Sequence, residues 1–240
     1  MQHEHVLATI IQQEPFLRDH LILLVVAGSR GYGLATETSD LDMRGIAFAP
    51  LSAVYGLDVY EQTILAEPDT VIYSLRKYLK LAIKGNPNIL ELLFAEGDSV
   101  LYCNQWGEEL RARRSYFLSK RIGQSFGGYA IGNLRKLSAR QQADSTYDGK
   151  DASHLIRLLQ SGVELLRTGH LQVKRDNAAE LLAIRNGEWP LAQVLKRAEA
   201  LYQDLLEACD HSLLPDEPDR AAIQALLIKM QQRFYGGRDG

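Results

Sequence analysis

Leu21–Ala27 reads LILLVVA, a continuous apolar run that stops at Gly28-Ser29. It is too short and too β-branched for a buried helix, so it reads as an interior strand with a glycine turn at its end. Leu41–Ala49 (LDMRGIAFA) opens with alternation and reads as a second strand; Val59–Ala66 and Thr70–Ser74 are two more, separated by Pro68. From Leu75 onward the period changes. Leu75, Tyr78, Leu79, Ala82 and Ile83 recur at helical spacing, and Gly85-Asn86-Pro87 closes that segment. Helices are expected over 88–94, 106–117, 120–142, 152–167, 177–185, 191–209 and 219–234, with the GGRDG end frayed. The expected fold class is α/β (α+β), a small mixed-sheet domain over residues 1–104 followed by an all-helical domain over 105–240.

With 46% apolar residues, 240 residues are enough to bury a sizeable core. No apolar run approaches the roughly 20 residues that cross a bilayer, and Met1–Ile10 lacks the pattern of a secretory signal. Neither a membrane span nor export is expected. Cys103 and Cys209 are too few for a disulfide framework, and the reducing cytoplasm is the expected compartment.

The overall charge of −3 conceals an asymmetry. Residues 1–100 carry 7 basic and 13 acidic side chains, whereas Arg111–Ala143 holds eight basic residues and no Asp or Glu. Such a stretch suits an anionic ligand, a triphosphate or a nucleic acid. The alternative is a solvated helix face whose counter-charges come from the acidic first half. Tyr116, Phe117, Phe126 and Tyr129 in this stretch are either base-stacking groups or core.

The chemistry concentrates in Ala27–Gly45, AGSRGYGLATETSDLDMRG. Gly28 has no side chain to hold backbone amides away from a ligand, and Ser29 with the amides that follow can bind phosphate oxygens. Asp40 and Asp42 stand at i and i+2, so on a strand both carboxylates face one pocket while Leu41 enters the core. Adjacent like charges repel, and a divalent cation compensates them. Hard oxygen ligands suit Mg²⁺ or Mn²⁺, which keep waters and bridge to substrate phosphates. Arg44, two residues beyond Asp42, can pair with the carboxylates or touch substrate phosphate; Arg30 is a phosphate contact or a surface charge.

This pattern resembles the signature of the DNA polymerase β-like nucleotidyltransferases: Gly28-Ser29, a gap of about ten, then Asp40-Leu41-Asp42. Its longer form, Gly-Ser-Arg-x-Tyr-Gly-Leu-Ala-Thr…Ser-Asp-x-Asp-x-Arg-Gly, with Lys77, Leu81 and Gly85–Leu93, is similar to the YcgL-type predicted nucleotidyltransferases. The resemblance implies a catalytic domain at 1–104 and a helical domain at 105–240 that closes the nucleotide cleft. It also implies a two-metal site moving a nucleoside monophosphate from an NTP to an acceptor hydroxyl with release of pyrophosphate. A third carboxylate on a neighbouring strand is part of that expectation; Asp69 is the candidate and Glu67 the alternative. The expected metal ligands and catalytic residues are thus Asp40, Asp42 and Asp69.

Lys150, His154 and Arg157 at i, i+4 and i+7 share one helical stripe, which reads as a triphosphate or RNA-phosphate clamp, or as a stripe paired with nearby acids. The remaining polar candidates are minor: Asn86 and Asn88 as helix caps, Lys84 and Glu91 as cleft-edge contacts. The acid-free stretch and an RNA-repair association of the resembled family favour an RNA 3′ end as acceptor. Nucleotidylation of a protein or small molecule is the second enzyme reading, and a non-catalytic nucleotide-sensing module is the third.

Overall fold

A computed structural model describes residues 2–143 and 147–236. The elements are α1 (Gln2–Gln13), α2 (Leu17–His20), β1 (Leu21–Val26), α3 (Gly28–Gly31), β2 (Met43–Ala47), α4 (Leu51–Tyr55), β3 (Gln62–Leu65), β4 (Thr70–Ser74), α5 (Leu75–Ile83), α6 (Pro87–Phe94), β5 (Val100–Cys103), α7 (Gln105–Ala112), α8 (Arg121–Ala143), α9 (Gly149–Thr168), α10 (Ala178–Arg185), α11 (Leu191–His211) and α12 (Arg220–Tyr235). Short 3₁₀ turns lie at Gly97–Ser99 and Arg114–Phe117. The architecture is the expected α+β one, a mixed sheet with a helical C-terminal part. Arg238 and Asp239 of the GGRDG end lie outside the described residues.

The sheet runs β3-β4-β2-β1-β5; β2 and β4 are parallel and the other pairs antiparallel. β1, an interior strand between β2 and β5, is buried from Leu21 to Val25, as the unbroken apolar run requires. Met43, Ala47, Leu65 and Ile72 pack with Ile10 and Leu17 from the first two helices. Neither α1 nor β5 was expected. Val6, Leu7 and Ile10 do carry a helical spacing, but β5 has only four residues, all of intermediate burial, and gives too short a pattern to read.

Two compact units result, and the boundary is not a single cut near residue 104. One unit comprises Met1–Ile83, Leu92–Phe117 and Asp219–Gly240; the other comprises Lys84–Glu91 and Leu118–Pro218. The last helix belongs with the sheet for a packing reason. Phe234 stacks on Phe48 just after β2, with ring centroids 3.9 Å apart and planes 11° from parallel, and the Tyr235 hydroxyl donates to the Ala49 carbonyl at 2.6 Å. In the second unit α9 is the axis, packed by α8, α10 and α11. Gly162 permits that closeness, because a Cβ there would lie 2.7 Å from Leu205 and 3.0 Å from Phe126.

Four of the eight basic residues in the Arg111–Ala143 stretch pair with acids outside residues 1–100. Arg111 pairs with Glu108 and Arg113 with Glu109, while Lys120 and Arg121 meet Asp216 and Glu217. Phe117 and Phe126 are core and Tyr129 is exposed. The side chains of Lys136 and Arg140 lie outside the described residues.

Candidate active site

The ladder between β1 and β2 ends with Val26 opposite Met43, and the Ala27 amide extends it by donating to the Asp42 carbonyl at 2.8 Å. The next residue, Gly28, turns the chain with φ +59°. A Cβ at this position would lie 1.9 Å from Asp42 Oδ2 and 2.7 Å from its Cγ. The Asp42 carboxylate therefore sits directly on the face of Gly28, and any side chain there displaces it. Glycine is needed twice over, for the left-handed turn and for the close approach.

After Gly28 the chain makes the single helical turn α3, which is held by the Leu34 amide donating to the Ser29 carbonyl at 2.7 Å. Arg30 reaches across the loop: Nη2 donates to the Ser39 carbonyl at 2.8 Å, and Nε lies 3.2 Å from Ser39 O and 3.3 Å from Asp40 O. Its guanidinium thus fixes the segment that delivers Asp40. This corrects the expectation that Asp40-Leu41-Asp42 lies within a strand, since β2 begins only at Met43. The Ser39 and Asp40 carbonyls are turned to Arg30 instead of to a neighbouring strand.

Asp69 arrives from the other side. The β3–β4 hairpin pairs Leu65 with Thr70, and β4 enters the sheet parallel to β2 with Thr70 beside Met43. The Met43 amide donates to the Asp69 carbonyl at 2.7 Å, so Asp42 and Asp69 are neighbours across adjacent strands, a spacing of about 4.8 Å. Arg44 Nη1 donates to the Met43 carbonyl at 2.8 Å and lies 3.5 Å from Asp69 Oδ1. Glu67 stays in the turn, exposed, with its carbonyl held by Gln13 at 2.9 Å. Tertiary structure thereby brings Gly28, Asp42, Arg44 and Asp69 together, with Asp40 and the Arg30-held loop beside them. Among the described residues no three His, Cys, Asp or Glu side chains form a ready-made metal cluster.

The helical cations belong to the second unit. Lys150 is exposed in the first turn of α9, whose N-cap Asp148 accepts the Lys150 and Asp151 amides at 2.9 and 3.2 Å. Arg157 is 1% exposed and forms a buried ion pair with Glu91, a partner that the sequence placed only at a cleft edge. Arg157 Nη2 lies 3.3 Å from His154 Nδ1; the guanidinium can only donate, so Nδ1 accepts and the proton of the neutral ring is on Nε2. Burial first, then the Arg157 charge, lowers the His154 pKa, with Glu91 and Asp151 opposing. Both effects favour the neutral ring, so the stripe carries less positive charge than its composition indicates.

The sequence model of the RNA repair pathway DNA polymerase beta family, RlaP, matches residues 2–229. The chain belongs to this family. RlaP membership makes it a polymerase β-like nucleotidyltransferase by descent and connects it with RNA repair. No functionally curated protein matches the chain. Among solved structures, a nucleotidyltransferase-like protein from Exiguobacterium sibiricum 255-15 is similar at 12% identity and a TM-score of 0.34, over 97% of this chain and 79% of that one. No described helix of this RlaP-family chain is long and apolar enough to cross a membrane.

Proposed function

We propose that the chain transfers a nucleoside monophosphate from an NTP to the 3′ hydroxyl of an RNA, with release of pyrophosphate. The observation that carries this is the Asp42 carboxylate seated on Gly28 and neighbouring Asp69 across the sheet. The acceptor oxygen bonds to the α-phosphorus while the bond to the bridging oxygen of pyrophosphate breaks. The hydroxyl proton passes to a carboxylate, for which Asp69 is the candidate, its side chain about half exposed.

The donor set fits a hard divalent ion. Asp40 and Asp42 would offer carboxylate oxygens, Asp69 would add a third, and phosphate oxygens of the NTP would supply the donors that these residues lack. Bound there, Mg²⁺ or Mn²⁺ would make the acceptor hydroxyl more acidic and offset charge on the phosphates. The Gly28 and Ser29 amides open a helical turn and lack partners within it, so they suit phosphate oxygens. Arg30 holds the loop. Arg44 meets Asp69 at 3.5 Å with side chains 27% and 51% exposed, a pair worth little in water, so it can exchange Asp69 for a substrate phosphate. Two unpaired cysteines agree with work in the reducing cytoplasm.

The test incubates the protein with Mg²⁺ or Mn²⁺, α-labelled NTPs one at a time, and pooled small RNAs and proteins. Label in RNA that is lost in Asp40→Asn/Asp42→Asn supports the proposal. Label in protein replaces the acceptor, and metal-dependent NTP binding without label in any acceptor replaces the enzyme with a sensing module.

A further inference from the structure

Away from the carboxylates, the sheet unit carries a second charged constellation. Glu109 on α7, 13% exposed, receives three cations: Lys229 at 2.8 Å, Arg113 at 3.3 Å and Arg233 at 3.5 Å. The interaction with Lys229 leads in pulling its carboxyl below the ordinary range. One carboxylate cannot neutralise three cations, and α12 contains no Asp or Glu. The side chains of Arg113, Lys229 and Arg233 are 34%, 51% and 55% exposed, so this surplus charge is open to solvent. Arg233 also lies over the Trp106 ring, 5.0 Å from its centroid. Glu109 and Trp106 therefore hold long side chains in place before any ligand arrives, which reduces the ordering cost of binding.

Position indicates the ligand. Alternation along β2 carries Arg44 and Ile46 to one face, with Asp42 just before the strand and Phe48 just after it, opposite to Met43 and Ala47, which pack on α1. Phe48 stacks on Phe234 and meets Trp106 edge-on at 5.6 Å, so the cations sit beyond the far end of β2. Asp42 and Phe48 bracket the five residues of β2 and lie six positions apart, about 20 Å at the rise of an extended chain. A stacked strand rises about 3.4 Å per nucleotide, so this distance corresponds to about six nucleotides.

We propose that Arg113, Lys229 and Arg233, gathered on Glu109, bind the phosphodiester backbone of the acceptor strand about six or more nucleotides before its reacting 3′ end. The inference rests on the RNA-acceptor reading. Lys229→Gln/Arg233→Gln is the informative variant, because Arg113 still satisfies Glu109; thermal unfolding checks its fold, and Lys229→Gln alone is the milder version. Binding of a trinucleotide and a twelve-nucleotide RNA is measured by fluorescence anisotropy across a salt series. The preference for the longer RNA falls about tenfold, and its log-log salt slope flattens by about 1.4, at about 0.7 per single-stranded phosphate contact. An unchanged slope, or equal weakening of both RNAs, overturns the subsite while RNA labelling by the unaltered protein keeps the acceptor reading. If the unaltered protein labels only protein acceptors and binds neither RNA, both fall.

Discussion

Replacing Gly28 by alanine separates the two demands made on that residue. The left-handed φ of +59° costs an alanine about 1–2 kcal/mol, or a fall of about 2–8 °C in Tm for a chain of this length. The second demand is spatial. The new Cβ would lie 1.9 Å from Asp42 Oδ2, and relief to a tolerable 3.0 Å moves the carboxylate by about 1 Å, a misplacement that can cost about 100-fold in rate. Gly97→Ala is the matched control, with φ +56° and nothing within 4 Å of its Cβ. Both variants lose similar stability by urea unfolding, whereas kcat/KM for nucleotide transfer falls about 100-fold only in Gly28→Ala. Activity of Gly28→Ala within threefold of Gly97→Ala would refute the placement of Asp42 in the reacting centre.

Three further outcomes follow from the same structure. Asp42→Asn, which keeps volume and removes the carboxylate charge, lowers transfer by at least about 100-fold with unchanged circular dichroism if the proposed site is the reacting one. Glu91→Gln leaves Arg157 buried without its counter-charge and costs about 3–5 kcal/mol in urea unfolding, and Glu91→Leu/Arg157→Met recovers most of it; a Glu91→Gln protein of unaltered stability contradicts the buried pair. His154 has a folded pKa below its usual 6.5, so its contribution is complete above pH 6.5 and is lost as falling pH lets the unfolded chain take up a proton that the fold resists. The urea midpoint therefore drops on acidification from pH 8 to 5.5, and His154→Gln flattens that drop; an identical pH profile in the variant excludes His154 as its source.

Much of the sheet unit was legible because its signals are local. An apolar run ending in Gly-Ser states a buried strand and a turn within nine residues, and Asp40 and Asp42 are two positions apart, close enough for backbone geometry to relate them. Thr70–Ser74 was read to the residue, since alternation and Pro68 frame it. The helices of the second unit were legible for a similar reason, with turn residues such as Gly85-Asn86-Pro87 at their ends.

Partners distant in sequence were not legible. Whether Asp69 or Glu67 stands beside Asp42 depends on the parallel register of β4 against β2, and a slip of two residues, which keeps the face, would exchange them. The sequence showed Arg157 as a cation on a helical stripe; only packing of α9 against the residues around Glu91 buried it and paired it. Likewise Lys229 and Arg233 lie 120 and 124 positions from Glu109, and α12 reaches them because Phe234 and Tyr235 bury themselves beside Phe48. The sequence alone determined which residue types are present and which short-range geometries they adopt, because propensity and periodicity act over a few residues. Tertiary structure decided which charges meet, because pairing follows from the burial of apolar surface contributed by distant segments.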